Sequence, residues 1–261
     1  MRLNKPVYLN TLRGFLDAPL RLVLLGLVLL AFYGLAGSQG DPLQGSLGMS
    51  PDGQAKLLAV MASLGNKVLT ALVWLLGYGL VSREANRGSI QLVLLRPLSR
   101  ASYVLSKWAA LVSLAWGATL AVHLIFLARG WMPLLGPAPW ALILGAQLLQ
   151  VAALAAVLTL LSCVPVGFGE LGLLLLGWLG LLLLGGYAQR LGWAWLGQAA
   201  GLGRRFLLPD IQGSGLMATF AGTAQVDVAG SLPFNAAVLL LALAGAIALL
   251  GRREFSYADQ G

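Results

Sequence analysis

Six long apolar runs divide the sequence, and they constrain its fold more than any other feature. An α-helix needs ~20 residues to cross the ~30 Å hydrocarbon core of a bilayer, and these runs reach or approach that length. Inside lipid a helix satisfies its own backbone hydrogen bonds. We therefore predict an all-α integral membrane protein with six transmembrane helices in a single transmembrane domain, residues 1–261. The predicted spans are Arg21–Gly37, Ala59–Val81, Tyr103–Ala128, Trp140–Val164, Leu171–Tyr187 and Phe234–Leu250.

The composition excludes an ordinary soluble protein. Hydrophobic residues make up 59% of the chain and charged residues 10%, whereas soluble domains carry about 25% charged residues. The net charge of +8 comes from basic residues that flank the apolar runs, which is typical of membrane proteins and not of nucleic-acid binding. The one cysteine, Cys163, excludes an intrachain disulfide and a cysteine metal cluster. No nucleic-acid partner and no bound metal are expected.

The lysines and arginines predict the orientation. Eleven fall in segments that share a side with the N-terminus, namely Arg2, Lys5, Arg13, Arg21, Arg83, Arg87, Arg96, Arg100, Lys107, Arg252 and Arg253. Five fall on the opposite side, namely Lys56, Arg129, Arg190, Arg204 and Arg205, and Lys67 is assigned to neither side. Because cytoplasmic loops are enriched in lysine and arginine, both termini are predicted to be cytoplasmic in a bacterial-type inner (plasma) membrane.

Two segments outside the runs have a predicted structure. Residues 6–20 are expected to form an interfacial helix, because their apolar residues recur on one face. That stripe consists of Val7, Leu9, Leu12, Phe15 and Leu16. Asp17 favours keeping the first run as a span over a cleaved signal peptide. Residues 188–232 are too apolar for a solvated loop and too broken to span, so short re-entrant or surface helices are expected there, with Trp193 and Trp195 at the interface.

Residues 83–107, between the second and third runs, form the most informative segment. Gly88 permits a sharp reversal, and Ser89 is a good N-cap for a helix. Ile90–Leu95 then gives about two apolar helical turns, which Pro97 ends. An exposed apolar helix needs a surface that covers it. This helix is therefore expected either to lie on lipid or to dock into a soluble partner.

The segment resembles the corresponding loop of the permeases of type-2 ABC exporters. In that family an acidic residue is followed by a glycine, a short apolar helix, a proline, Ser/Thr-Arg and a lysine. The matching residues here are Glu84, Gly88, Ser89, Ile90–Leu95, Pro97, Ser99-Arg100 and Lys107. The six spans, the helix before the first span and Leu207–Asp210 extend the resemblance over most of the chain. The outer segments differ in detail, which leaves the substrate open.

The resemblance implies a mechanism. Two permease subunits, identical or different, form the pathway, and two separate ATPase subunits bind beneath them through the cytoplasmic coupling loop, here residues 83–102. The residues expected to dock or couple are Glu84, Gly88, Ser89, Ile90, Val93, Leu94, Pro97 and Arg100. The chain lacks a G-x-x-x-x-G-K-S/T phosphate-binding loop. ATP and Mg are therefore expected on the partner ATPase, and this chain is expected to bind no cofactor and not to be an enzyme by itself.

Three ionisable residues keep other functions open. An ion- or proton-coupled secondary transporter would use Lys67, His123 and Glu170. Their structural interpretations are a lysine that reaches the interface, a helix–helix hydrogen bond and a carboxylate at a helix N-terminus. A membrane anchor that recruits a soluble partner through residues 83–102 is the third possibility. Several glycines are expected to permit close helix packing, namely Gly172, Gly177, Gly180, Gly185 and Gly186.

The predicted orientation is testable by cysteine labelling. In a Cys163→Ala background, an impermeant thiol reagent added outside intact cells should label Ser46→Cys and Ala138→Cys, because both positions lie in predicted outer loops. Ser89→Cys and Ser256→Cys should stay unlabelled until the cells are permeabilised. Strong external labelling at position 89 would reverse the orientation.

Overall fold

The structure, a computed structural model, is helical throughout the residues it describes. These are residues 3–17, 19, 23, 25–27, 29–30, 66–77, 80–81, 99–128, 137–164, 169–209 and 228–252. Seven helices have bounds: α1 (Lys5–Leu16), α2 (Asn66–Gly77), α3 (Arg100–Ala128), α4 (Pro137–Ser162), α5 (Gly169–Arg190), α6 (Ala194–Leu207) and α7 (Val228–Arg252). Residues 19, 23, 25–27 and 29–30 are also helical. The described residues include no strand, so the predicted all-α class is confirmed for this part of the chain.

Four of these helices, α3, α4, α5 and α7, are long and apolar enough to cross a membrane. They coincide with the third to sixth predicted spans, although α7 begins at Val228 and carries Pro233 inside it. The prediction began that span at Phe234 because it followed the apolar run alone. Most of the first predicted span lies outside the described residues, and the described helix of the second, Asn66–Gly77, is too short to cross a membrane, so six spans remain a prediction.

Helix α4 lies at the centre of the bundle, and α3 and α7 pack on it. Two indole N–H groups of α3 donate to carbonyl oxygens of α4: Trp108 to Ala152 at 3.1 Å and Trp116 to Leu148 at 3.0 Å. Since residue numbers rise along α3 as they fall along α4, the two helices are antiparallel. Helix α7 packs on the small face of α4, where Ala153 and Ala156 permit close approach.

Helix α1 is shorter than predicted. Its N-terminus is capped by the Asn4 side chain, which accepts a hydrogen bond from the Val7 amide at 3.1 Å. The helix ends at Leu16 with Asp17 as its C-cap, whereas the prediction extended it over residues 6–20. Pro19 disfavours a helical conformation at the preceding residue, which accounts for the earlier end.

The apolar stripe predicted for α1 is divided between two faces. Thr11 and Phe15 are buried, and Val7 packs against the same core. Leu9 and Leu16 are 39% and 47% exposed, and they lie on the opposite side of the helix. Because α1 packs on α3, one apolar side contacts protein and the other is left for lipid.

A tight turn joins α5 to α6 and reverses the chain. The amide of Trp193 donates to the carbonyl oxygen of Ala188 at 2.9 Å, and the amide of Gly192 donates to the carbonyl oxygen of Gln189 at 3.3 Å. This is the Schellman pattern of a helix C-terminus, which requires a left-handed residue. Gly192 supplies it with φ = 71°, at no steric cost because it has no Cβ.

Helix α6 packs antiparallel on α5, and small residues line the contact. A Cβ on Gly203 would lie 2.9 Å from Cδ1 of Leu181, and one on Gly177 would lie 3.1 Å from Cδ1 of Leu207. Of the glycines expected to permit close packing, Gly177 and Gly185 do so, whereas Gly180 and Gly186 face open space. Leu207, the last residue of α6, contacts Gly177 of α5. Gly177 lies 13 residues before Arg190, the last residue of α5, which corresponds to about 20 Å at the rise of an α-helix.

The close contact at Gly203 predicts that Gly203→Leu will destabilise the α5–α6 pair. The added side chain must displace Leu181, and overpacking of this kind costs about 1–3 kcal/mol. The thermal unfolding midpoint of the purified chain in detergent measures the effect. Gly180→Leu is the matched control, because it makes the same substitution at a glycine of α5 where an added Cβ would meet open space. Equal midpoints for the two variants would contradict the packing described here.

Candidate functional site

Most of the predicted coupling residues lie outside the described part of the chain. These are Glu84, Gly88, Ser89, Ile90, Val93, Leu94 and Pro97. The short apolar helix over residues 90–95 therefore stays a prediction. Arg100, the last of the predicted set, is described, and it begins α3.

Arg100 joins the start of α3 to the end of α7. Its Nη1 donates to the carbonyl oxygens of Leu250 and Gly251 at 3.2 and 2.5 Å. Both carbonyls belong to the last turn of α7, where they have no partner within the helix. A guanidinium is favoured there by the negative end of the helix dipole and by charge-assisted hydrogen bonding. The contact also places Arg100 and Arg252 at the same end of the bundle, which we call the Arg100 end.

Helix α1 is attached near the same end. The Asn4 amide donates to Oγ of Ser106 at 2.8 Å, and the Tyr8 hydroxyl donates to Oγ of Ser113 at 2.9 Å. Lys107, predicted as the last residue of the loop motif, lies inside α3 and is 4% exposed, with Nζ 5.6 Å from the centroid of the Tyr103 ring. The predicted coupling loop is therefore followed directly by a part of α3 that is hydrogen-bonded to α1 and α7.

Gln150, at the middle of α4, connects three elements. Its Nε2 donates to Oδ1 of Asn66, at the start of the described part of α2. The same nitrogen donates to the carbonyl of Pro209, just beyond α6, at 3.0 Å. The side chains of Asn66 and Gln150 are both buried. The first described turn of α2 and the end of α6 therefore lie level with the middle of α4.

His123 forms the helix–helix hydrogen bond expected from the sequence. Its Nε2 lies 2.6 Å from Oε1 of Gln147 on α4. The ring also makes edge-on contacts with Trp140 and Phe126, at centroid distances of 5.3 and 6.1 Å. The helix–helix hydrogen bond expected of His123 is therefore present. Glu170 lies in the first turn of α5, as predicted from the sequence; its side chain lies outside the described part.

A cavity of about 650 Å³ opens between α2, α5 and α6. Its described lining consists of Asn66, Lys67, Thr70, Trp178, Gln198, Gly201, Leu202, Arg204, Arg205, Leu208 and Pro209. The sequence places Arg204 and Arg205 in the outer segment of short helices, residues 188–232, and assigns Lys67 to neither side. The structure brings the three cations to one cavity. The signal that could have indicated this is the spacing of Gly197, Ala200 and Gly203, which marks a face of α6 for close packing.

The four helices that are long and apolar enough to cross a membrane are consistent with a multi-pass helical membrane protein. Within the described residues, no three His, Cys, Asp or Glu side chains converge on a point where they could hold a metal ion. No protein-family model matches the chain, and no curated protein is significantly similar to it. The function is therefore inferred from the residues and from their arrangement.

The contact of Arg100 predicts the effect of Arg100→Gln. Losing the charged hydrogen bonds should lower the opening free energy of the last turn of α7 by about 1.5–3 kcal/mol. Amide hydrogen exchange of residues 246–252 measures this change. Arg13→Gln, which removes an exposed arginine of α1, should leave that exchange unchanged. Equal exchange in the two variants would show that Arg100 does not hold the end of α7.

Proposed function

We propose that this chain is the membrane-spanning subunit of an ATP-driven exporter of the type-2 ABC permease kind. It works as a pair of permease subunits, and two separate ATPase subunits bind its 83–102 loop. The observation that carries the proposal is the order of residues in this loop, from Glu84 to Lys107, in a chain with four spanning helices. In this reading the loop, both termini and α1 are cytoplasmic.

The described structure supports the proposal at the base of the loop. The loop ends where Arg100 binds the last turn of α7, and α1 packs on the adjoining part of α3. A displacement of the loop by an ATPase would therefore act on α1, α3 and α7 together. Interfaces of packed helices move as discrete bodies, which is what transmission of a domain closure requires.

The sequence also fits an exporter in which ATP hydrolysis and the transport pathway belong to different polypeptides. The phosphates of ATP are usually cradled by a glycine-rich loop that ends in a lysine, and none of the four lysines here follows a glycine. Hydrolysis is assigned to the partner, and this chain supplies the pathway. ATP-dependent transport separates this function from that of an anchor that only recruits a soluble protein, and from that of an ion-driven transporter.

The proposal predicts that Leu94→Asp will release the ATPase or uncouple it. If Ile90, Val93 and Leu94 form the docking face, the substitution places an unpaired charge in a poorly hydrated cleft. Each ~1.4 kcal/mol lost weakens association about tenfold. The measurement is co-purification of an ATPase subunit encoded beside this chain, followed by ATP-driven export.

Gln44→Asp is the control, because it introduces the same charge in a predicted outer loop. Glu84→Ala should preserve assembly and lower export, if Glu84 fixes the angle of the helix. Full assembly and full export in Leu94→Asp would show that the short helix only lies on lipid, and the docking mechanism would be wrong.

A further inference from the structure

Three cationic side chains line the cavity between α2, α5 and α6; Lys67 is exposed, and Arg204 and Arg205 are half-buried. Lys67 comes from α2, and Arg204 and Arg205 come from the last turn of α6. Among the described residues that line the cavity there is no carboxylate. Lys67 and Arg204 carry like charges around one space, and like charges repel each other more strongly as water is excluded.

The level of the cavity makes this charge costly. Asn66, next to Lys67, is hydrogen-bonded to Gln150 at the middle of α4. Pro209, which follows the two arginines, is bonded to the same glutamine. Cationic side chains at the middle of a bundle that spans a membrane are expensive, and they mark ligand or ion sites by default.

A purely structural reading explains only part of the arrangement. Cations in the last turn of a helix are stabilised by its dipole, which accounts for Arg204 and Arg205 on α6. Arg205 also stacks on Phe234, with Cζ 4.3 Å from the ring centroid. Neither effect involves Lys67, which reaches the same cavity from a different helix. Cations from two different helices line one cavity, and a bound anionic ligand would explain this arrangement.

The lining indicates the chemistry of that ligand. Guanidinium groups bind phosphate with two parallel hydrogen bonds, and a lysine adds a point charge. Gln198, Thr70 and Asn66 add neutral polar groups. The remaining wall is apolar: it includes Trp178, Leu208 and Leu202, and Leu202 is 55% exposed.

The size of the cavity and its surroundings favour an amphiphile over a free ion. The cavity volume of about 650 Å³ lies within the ~300–1,000 Å³ that is typical of binding sites for organic molecules. This volume is far larger than one phosphate ion fills. Helix α5, which forms one wall, is the least buried of the four spanning helices. Its leucines Leu175, Leu176 and Leu179 are exposed, so apolar chains would find a surface next to the cavity.

We propose that this cavity binds the phosphate headgroup of an anionic amphiphile, with Lys67 and Arg204 as the recognising cations. The binding site is independent of ATP-driven export; its use as a cargo site rests on the proposed function. Binding is measured on the purified chain without an ATPase. A failure of this site and a failure of the exporter assignment are therefore separate results.

The test is native mass spectrometry of the full-length, delipidated chain in detergent. The probes are phosphatidylglycerol, phosphatidylcholine with the same acyl chains, and inorganic phosphate. Phosphatidylglycerol should bind at least about tenfold more tightly than phosphatidylcholine, and the double variant Lys67→Gln/Arg204→Gln should lose that preference. Lys5→Gln/Arg13→Gln removes the same two residue types from exposed positions of α1 and should keep it.

A second variant blocks the cavity without changing its charge. Gly201 lines the cavity, and a Cβ there would meet nothing within 4 Å, so Gly201→Phe should fold and fill the space. Gly117→Phe is its control, because Gly117 also faces open space and lies on α3. Gly201→Phe should lose phosphatidylglycerol binding, and Gly117→Phe should retain it.

Three results would overturn the proposal. Equal binding of the two phospholipids would show that charge is not recognised. Undiminished phosphatidylglycerol binding by folded Gly201→Phe would place the lipid elsewhere, and this result decides the matter even if the double variant does not fold. Inorganic phosphate that competes with phosphatidylglycerol at equal affinity would show a site for the free anion and not for an amphiphile.

Discussion

Polar groups inside a bilayer have no water to bind, so they must find partners within the protein. Gln150 shows what this requirement does to the fold. It lies at the centre of α4, and its amide group binds both Asn66 and the carbonyl of Pro209. One side chain thereby sets the levels of α2 and of the end of α6 relative to the core helix. The hydrogen bond of His123 to Gln147, one turn away on α4, joins α3 to the same region.

The position of α6 follows from this constraint and from small residues. The turn at Gly192 directs the chain back along α5, and Gly203 lets the two helices approach closely. The return brings Arg204 and Arg205 to the level where Lys67 lies on α2. At the Arg100 end, by contrast, the cation meets the free carbonyls of α7. Charges at this end fasten helices, whereas charges at the middle surround a cavity.

Hydropathy predicted the four long helices because a span is a local property of about 20 residues. It indicated short helices in residues 188–232, of which α6 is one, but it could not predict that α6 packs back along α5, because the partner of Gly203 is not a local property. The exposure of Leu9 and Leu16 on the second face of α1 could not be predicted for the same reason. Periodicity indicates which residues are apolar but not which of them another helix covers. Arg100 was singled out from its motif, yet its bonds to α7 depend on tertiary contacts that no local pattern contains.

The central claim is that this chain supplies no ATP hydrolysis of its own and works with a separate ATPase subunit. It is tested most directly by measuring ATP hydrolysis by the purified full-length chain, alone and in complex with an ATPase subunit encoded beside it. We predict no hydrolysis above that of a mock purification for the chain alone, and hydrolysis only in the complex. Sustained ATP turnover by the chain alone, with contaminating ATPases excluded, would contradict the assignment.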